Sequence, residues 1–281
     1  MGTLQRILTS FFDAVLAPLE ALGMEWVLIL LSGAFGVFAL WVFKRISPQR
    51  AIRRTKDLIK GAMIEIRIYQ DDLRLVTRAI GRVLRLNLRY LALNVGPFVP
   101  LAFLFVLLAG QLVTRYAFDP IPVEASASTA LAGVGRTLSI DWEGAGDLNV
   151  RFPKGLDPVS ALVRAPEQGR AFQEFVATAP GSFEIEIEGA GETFSKRVWA
   201  GERAQNGHRF PGVQPARLSG WEVWLWPAEA GLRDGARIEF HYPDHALGWL
   251  PGSGPSGVLL NMLLFSMLFG FLAIKPLGVE I

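Results

Sequence analysis

The chain has 281 residues, 51 % of them hydrophobic, and no cysteine. That composition fits a membrane protein carrying a water-exposed domain. It excludes disulfides, thiolate nucleophiles and cysteine-held metals. The formal net charge is only +2, with three histidines, but this average hides a strong asymmetry along the chain.

Residues 1–25 open with "LQRILTSFFDAVLAPLEAL", in which Leu4, Ile7, Leu8, Phe11, Phe12, Val15, Leu16 and Leu19 recur at helical spacing. The pattern predicts an amphipathic helix lying in the outer membrane–water interface; the plainer alternative is a packing helix. Residues 26–44, "WVLILLSGAFGVFALWVF" and the lysine after it, predict the first membrane span. Asp13, Glu20 and Glu25 precede it and no small-residue cleavage pattern follows, which argues against a cleaved signal peptide.

Residues 45–93 are basic. From Lys44 to Arg89 there are thirteen Lys and Arg against Asp57, Glu65, Asp71 and Asp72. Ile59, Ile66, Leu73 and Ile80 recur every seven residues, as do Ala62, Tyr69, Val76 and Val83 three places later. That spacing predicts amphipathic or coiled-coil helix. Two arrangements satisfy it: an antiparallel hairpin turning near Gln70-Asp71-Asp72, or helices lying along the inner leaflet. Arg50, Arg53, Arg54, Lys56, Lys60, Arg67, Arg74, Arg78, Arg82, Arg85 and Arg89 are the candidate partner- or lipid-binding residues, because anionic lipids attract such side chains. The bland alternative is a solvated linker whose arginines only set topology. Aromatic residues hardly interleave the arginines, so base stacking with nucleic acid is not expected, and only electrostatic attraction to ribosomal RNA is supported.

Residues 94–116, "NVGPFVPLAFLFVLLAGQLVTRY", predict the second span. Residues 117–255 change character. "TLSIDWEGAGDLNVRF", "SFEIEIEGAGETFSKRVWA", "WEVWLW" and "ARIEFHYP" alternate apolar and polar residues between glycine-rich turns. Phe183, Ile185 and Ile187 fall on one strand face, and Glu184, Glu186 and Glu188 on the other. The spacing predicts a β-sandwich of immunoglobulin-like outline. Residues 256–275, with "VLLNMLLFSMLFGFLAI", predict the third span, and 276–281 a short tail. The short basic segment is expected to stay in the cytoplasm, which places the N-terminus and residues 117–255 outside and the C-terminus inside.

Chemical motifs are sparse. His241, Asp244 and His245 in "HYPDH" lack the further ligand and spacing of a metal site, so a structural role is the better reading. "GSGPSG" matches the glycine spacing of nucleotide-binding loops but precedes a span, not a soluble helix. No serine-hydrolase elbow or phosphate-binding lysine loop occurs. An enzyme is not expected, a hydrolase in the outer domain being the remote alternative, and no cofactor is implied. Asn94, Gln111 and Asn261 are candidate intramembrane polar residues, either lining a groove or joining helices.

The order of outer helix, inward span, basic helical segment, outward span and inward span resembles the Oxa/YidC membrane-insertase superfamily, above all its three-span members. "RYAFDPIP" at 115–122 is similar to a turn after the second span in some members. The resemblance implies an assembly factor for membrane or envelope proteins, with cytoplasmic helices that recruit clients, ribosomes or lipid. In contrast to many members, no span carries a central arginine, and the β-domain lies between the second and third spans. "IRRTKDLIKGAMIEIRIYQDDL" and the terminal "GVEI" are also similar to an uncharacterised group of bacterial inner-membrane proteins. A second expectation is a membrane scaffold or sensor whose outer domain binds an envelope partner or ligand.

Overall fold

A computed structural model describes residues 3–124, 135–142, 148–189, 192–203, 213–214 and 237–279. The expected strand at 221–226 and His208 lie outside the described residues. Among the described residues the α-helices are α1 (Thr3–Glu20), α2 (Met24–Ile46), α3 (Gln49–Ile68), α4 (Leu73–Val95), α5 (Phe98–Tyr116) and α6 (Gly254–Leu277). Between α5 and α6 run strands β1 (Arg136–Asp141), β2 (Asn149–Arg151), β3 (Leu156–Pro158), β4 (Val163–Ala165), β5 (Arg170–Ala177), β6 (Gly181–Gly189), β7 (Glu192–Ala200), β8 (Val213–Gln214) and β9 (Arg237–Glu239). Among the described residues three helical stretches are long and apolar enough to cross a membrane: α2, the α4–α5 stretch and α6.

Contacts divide the chain into two units. The first holds residues 1–28 and 107–261, the second 29–106 and 262–281.

In the first unit, α1 uses two faces. Phe12 and Leu16 are buried, while Ile7 and Phe11 stay exposed. Gly23 at φ +100° ends this segment, in a conformation that a Cβ disfavours. Asp13 pairs with the buried Arg115 of α5, and the Tyr116 hydroxyl donates to Glu20 at 2.9 Å. The helix therefore packs on one side and presents an apolar surface on the other. Trp26 and Trp249 meet edge to face at 6.1 Å.

The strands form two antiparallel sheets. One has the order β3-β5-β1-β9-β8, with β4 also on β5; the other has the order β2-β6-β7. The alternation read in "SFEIEIE" sets the β6–β7 register: Phe183 opposes Val198, Ile185 opposes Lys196 and Ile187 opposes Phe194. Ile185 and Ile187 are buried, and Glu184 and Glu186 face solvent. Both sheets feed one core, in which Leu138, Ile140 and Phe175 of the first meet Ile185, Ile187 and Val198 of the second. Lys196 is also buried, its amine 5.6 Å from the centre of the Phe240 ring.

In the second unit, α2 has Lys44 and Arg45 in its last turn, where cations complement the helix dipole. It crosses α6 at small residues. Ser32 and Gly36, and Ser266 and Gly270, are each four apart, the spacing that lets backbones approach. Gly36 lies on the Ser266 backbone and Gly33 on the Phe269 ring. Phe43 meets Phe98 at 5.5 Å and Phe35 meets Phe105 at 5.9 Å, so α2 and α5 run antiparallel.

The basic segment is broken at its tip. Asp72 accepts hydrogen bonds from the backbone N–H groups of Arg74 (2.9 Å) and Leu75 (3.2 Å), capping α4. Glu65 pairs with Arg82 at 2.8 Å, and Lys56 sits 5.7 Å from the Tyr90 ring. As one helix advances the other retreats, which is the geometry of an antiparallel hairpin.

The seven-residue spacing coincides with the inward face on α3 and falls out of phase on α4. Ile52, Thr55, Ile59, Ala62 and Ile66 turn inward on α3, and Val76, Ala79, Val83 and Leu86 on α4. Tyr69, Leu73 and Ile80, expected in the seam, are exposed. The repeat was counted through residues 69–72, where the helix ends, so its phase restarts at the Asp72 cap.

Candidate functional site: an apolar groove at the base of the hairpin

The α4 helix does not stop at the hairpin. Its last turn joins α2, α5 and α6 in walling a groove of about 500 Å³ within the second unit. Phe35, Leu40 and Phe43 form one wall, and Met267, Phe271 and Ile274 another. Tyr90 and Asn94 of α4 close it on the hairpin side, with Phe98 and Leu101 of α5 beside them. Gly36 and Gly270 lie where α2 and α6 touch, and the groove runs alongside that contact.

Its chemistry is apolar. No charged side chain lines it. Asn94 turns its amide back to the Tyr90 carbonyl at 2.7 Å, and the Ser266 hydroxyl donates to the Leu263 carbonyl at 3.0 Å. Helix backbone thus satisfies the donors of these groups, and what faces the groove is aromatic and aliphatic surface. Such a space takes hydrocarbon or an apolar side-chain stripe more readily than an ion. Close outside it, Lys44 donates to the Leu277 carbonyl at 2.5 Å, fastening the ends of α2 and α6.

Of the candidate basic residues, Arg50, Arg53, Arg54, Lys56, Lys60 and Arg67 lie on α3 and Arg74, Arg78, Arg82, Arg85 and Arg89 on α4. All are exposed except Lys56, which is half-buried over Tyr90. The structure does not gather them into one pocket; it spreads them along the two helices. The three candidate polar residues also separate. Asn94 lines the groove, whereas Gln111 and Asn261 belong to the first unit. Gln111 is fully buried, and among the described residues neither amide atom meets a hydrogen-bond partner. Asn261 donates to the Pro251 carbonyl at 2.8 Å and the Gly257 carbonyl at 2.9 Å, so it holds the turn that precedes α6.

A second constellation, not foreseen as a unit, lies in the first unit where the strands meet α5. The Arg203 guanidinium donates to the carbonyls of Arg115 (2.5 Å) and Phe118 (2.8 Å) and lies 3.5 Å from Asp119. Burial pulls its pKa below the usual arginine range, with Asp119 opposing the shift. The His245 ring nitrogen Nδ1 lies 2.7 Å from the same Asp119 oxygen, and its backbone N–H reaches the Ala117 carbonyl at 2.9 Å. His241 is exposed, 3.6 Å from Glu239. Among the described residues no group of three or more His, Asp or Glu is placed to hold a metal ion. The sequence signals were present but remote: Arg115 interrupts an apolar run, and Asp13 interrupts an apolar stripe 102 residues earlier.

These features define a class, an α-plus-β protein with, among the described residues, three helical stretches of membrane-spanning length and apolarity. No protein-family model matches the chain, and no curated protein or solved structure is significantly similar to it.

Proposed function

We propose that the protein is a non-enzymatic, multi-pass protein of the bacterial inner membrane that assists the assembly of other membrane or envelope proteins. In this reading α2, α5 and α6 cross the bilayer. The N-terminus and residues 117–255 lie outside, and the α3–α4 hairpin and C-terminus lie in the cytoplasm. The outer domain is a β-sandwich of immunoglobulin-like outline, and the core layout is that of an insertase of the Oxa/YidC type.

One observation carries the proposal: the last turn of the basic hairpin forms a wall of the apolar groove between the helices. A segment captured by the hairpin would pass directly to a slot between α2 and α6. Because the slot is apolar, the occupant is an apolar polypeptide segment and not a charged one. The proposed mechanism differs here from a polar-groove insertase: it shelters hydrophobic sequence and does not lower the cost of moving polar sequence.

Phe271 and Leu272 provide a matched test. They are 70 % and 69 % exposed on the same helix, but only Phe271 lines the groove. A photocrosslinker at Phe271 is expected to capture newly made membrane proteins, and one at Leu272 to capture lipid. Equal capture at both positions, with unchanged membrane-protein levels on depletion, would overturn the proposal.

The Arg203 knot favours a second reading, a scaffold or sensor whose outer domain binds an envelope partner. A charged hydrogen-bonded clamp between strands and helix end transmits a displacement, where a loose linker would absorb it. A stoichiometric complex that survives detergent, with no transient clients, would favour this reading over assembly.

A further inference from the structure

The face of α4 turned away from α3 is apolar. Leu73, Ile80, Leu84, Leu88, Leu91 and Val95 recur at intervals of three, four or seven residues. All stay exposed, from 46 % for Ile80 to 79 % for Leu73. This is a second stripe, separate from the Val76–Ala79–Val83–Leu86 seam that meets α3. On α3 the exposed apolar residues are Leu58, Met63, Ile64 and Ile68, of which only Ile64 and Ile68 share a helical line, one turn long, against six residues on α4.

Two features say what covers the stripe. The first is continuity. Beyond Val95 the same spacing leads to Val99, Phe103 and Val106 of α5, also exposed. These belong to a helix of membrane-spanning character, where the covering is hydrocarbon. The second is charge. Leu73, Leu84 and Leu88 are each followed by an arginine, Arg74, Arg85 and Arg89, and Arg78 continues the row. Successive residues lie 100° apart on a helix, so the arginine row borders the apolar stripe from Leu73 to Leu88. An apolar stripe edged with arginine is the pattern of a helix seated at an anionic bilayer surface, stems in the acyl boundary and guanidinium groups at the phosphates. Gly96 and Pro97 form a short turn between α4 and α5.

We infer that α4 is an interfacial helix that seats the hairpin on an anionic phospholipid leaflet, with α3 turned toward water. The occupant is the lipid surface itself, and the arginines act together as its headgroup contacts. The inference rests on one part of the proposed reading, that α5 crosses the bilayer, and needs nothing of the groove.

The absence of native cysteine makes a direct test clean. The full-length chain carries single spin labels at Leu84→Cys, Leu88→Cys, Arg54→Cys on α3 and Phe103→Cys on α5. It is reconstituted in nanodiscs of phosphatidylcholine with or without phosphatidylglycerol. Collision with oxygen reports lipid, and collision with a nickel chelate reports water. The expected result is a shift toward oxygen at Leu84→Cys and Leu88→Cys on adding phosphatidylglycerol, with Arg54→Cys staying water-accessible. Arg85→Gln with Arg89→Gln is expected to abolish the shift. Water accessibility at Leu84→Cys and Leu88→Cys in both lipids, while Phe103→Cys stays in lipid, overturns the inference alone. Spin–spin broadening between Leu84→Cys copies also overturns it, since a second chain would then cover the stripe. Water accessibility at Phe103→Cys as well would remove the membrane reading itself.

Discussion

Replacing Gly36 by alanine tests the crossing that borders the groove. A Cβ at this position falls 2.7 Å from the Ser266 carbonyl carbon and 2.8 Å from its Cα. Ordinary contact needs about 3.5 Å or more, so α2 and α6 must part by about 1 Å or the new methyl must bend a helix. The obstruction is backbone, which has no rotamer to escape into. Overpacking of this kind costs roughly 1–3 kcal/mol. Gly270 is the internal control, because its added Cβ would sit 3.5 Å from the Gly36 carbonyl oxygen, an ordinary separation. Gly61 and Gly81 complete the series. Nothing lies within 4 Å of a Cβ at either, and both are inside helices. There alanine is expected to stabilise by roughly 0.8–1 kcal/mol through helix propensity. Thermal unfolding of the purified chain in one detergent reads all four variants. The expected order places Gly36→Ala below wild type, Gly270→Ala close to it, and Gly61→Ala and Gly81→Ala above. A Gly36→Ala midpoint equal to that of Gly270→Ala would refute the close crossing.

Three further outcomes follow from single contacts. Asp72→Ala removes both acceptor bonds at the start of α4 and is expected to cost about 1 kcal/mol, with Asp72→Asn retaining most of the cap; faster amide exchange at residues 74–76 is the readout. Arg203→Lys keeps the charge but cannot span the Arg115 and Phe118 carbonyls. It is expected to cost about 2 kcal/mol and to open residues 115–121 to exchange, whereas an unchanged exchange pattern would remove the clamp from the argument. Phe175→Ala empties the centre of the shared strand core and is expected to cost about 3–5 kcal/mol, seen as lost protection in both sheets at once. Loss confined to the β5 sheet would mean that the two sheets do not depend on one core.

The local patterns carried well from sequence to structure. Three apolar runs appear as helices, the acidic pair in a basic segment marks the hairpin tip, and the Glu184–Glu186 alternation sets a strand face. What resisted was phase and distance. A seven-residue repeat continues unchanged in spacing across a short turn, so counting alone does not reveal that the register restarts at Asp72. Because α4 carries two apolar stripes, composition does not say which one faces α3. The Arg203 knot joins residues 84 to 126 positions apart, and no local signal specifies such a pairing. The buried Lys196 reads in sequence as a solvent-side residue. Its burial follows from the register against Ile185 and the approach of Phe240.

The chain leaves α5 and returns to α6 through one narrow place. Phe118 bridges Asp244, Asp119 bonds to the Pro243 carbonyl at 2.9 Å, and His245 bonds to that of Ala117. The described strands therefore lie between two chain crossings one hydrogen bond apart. Joining Ala117 directly to Ala246 would close a gap the backbone already bridges, leaving the helices with a short turn. In architectural terms the strands are an inset between α5 and α6, entered and left at one backbone pairing.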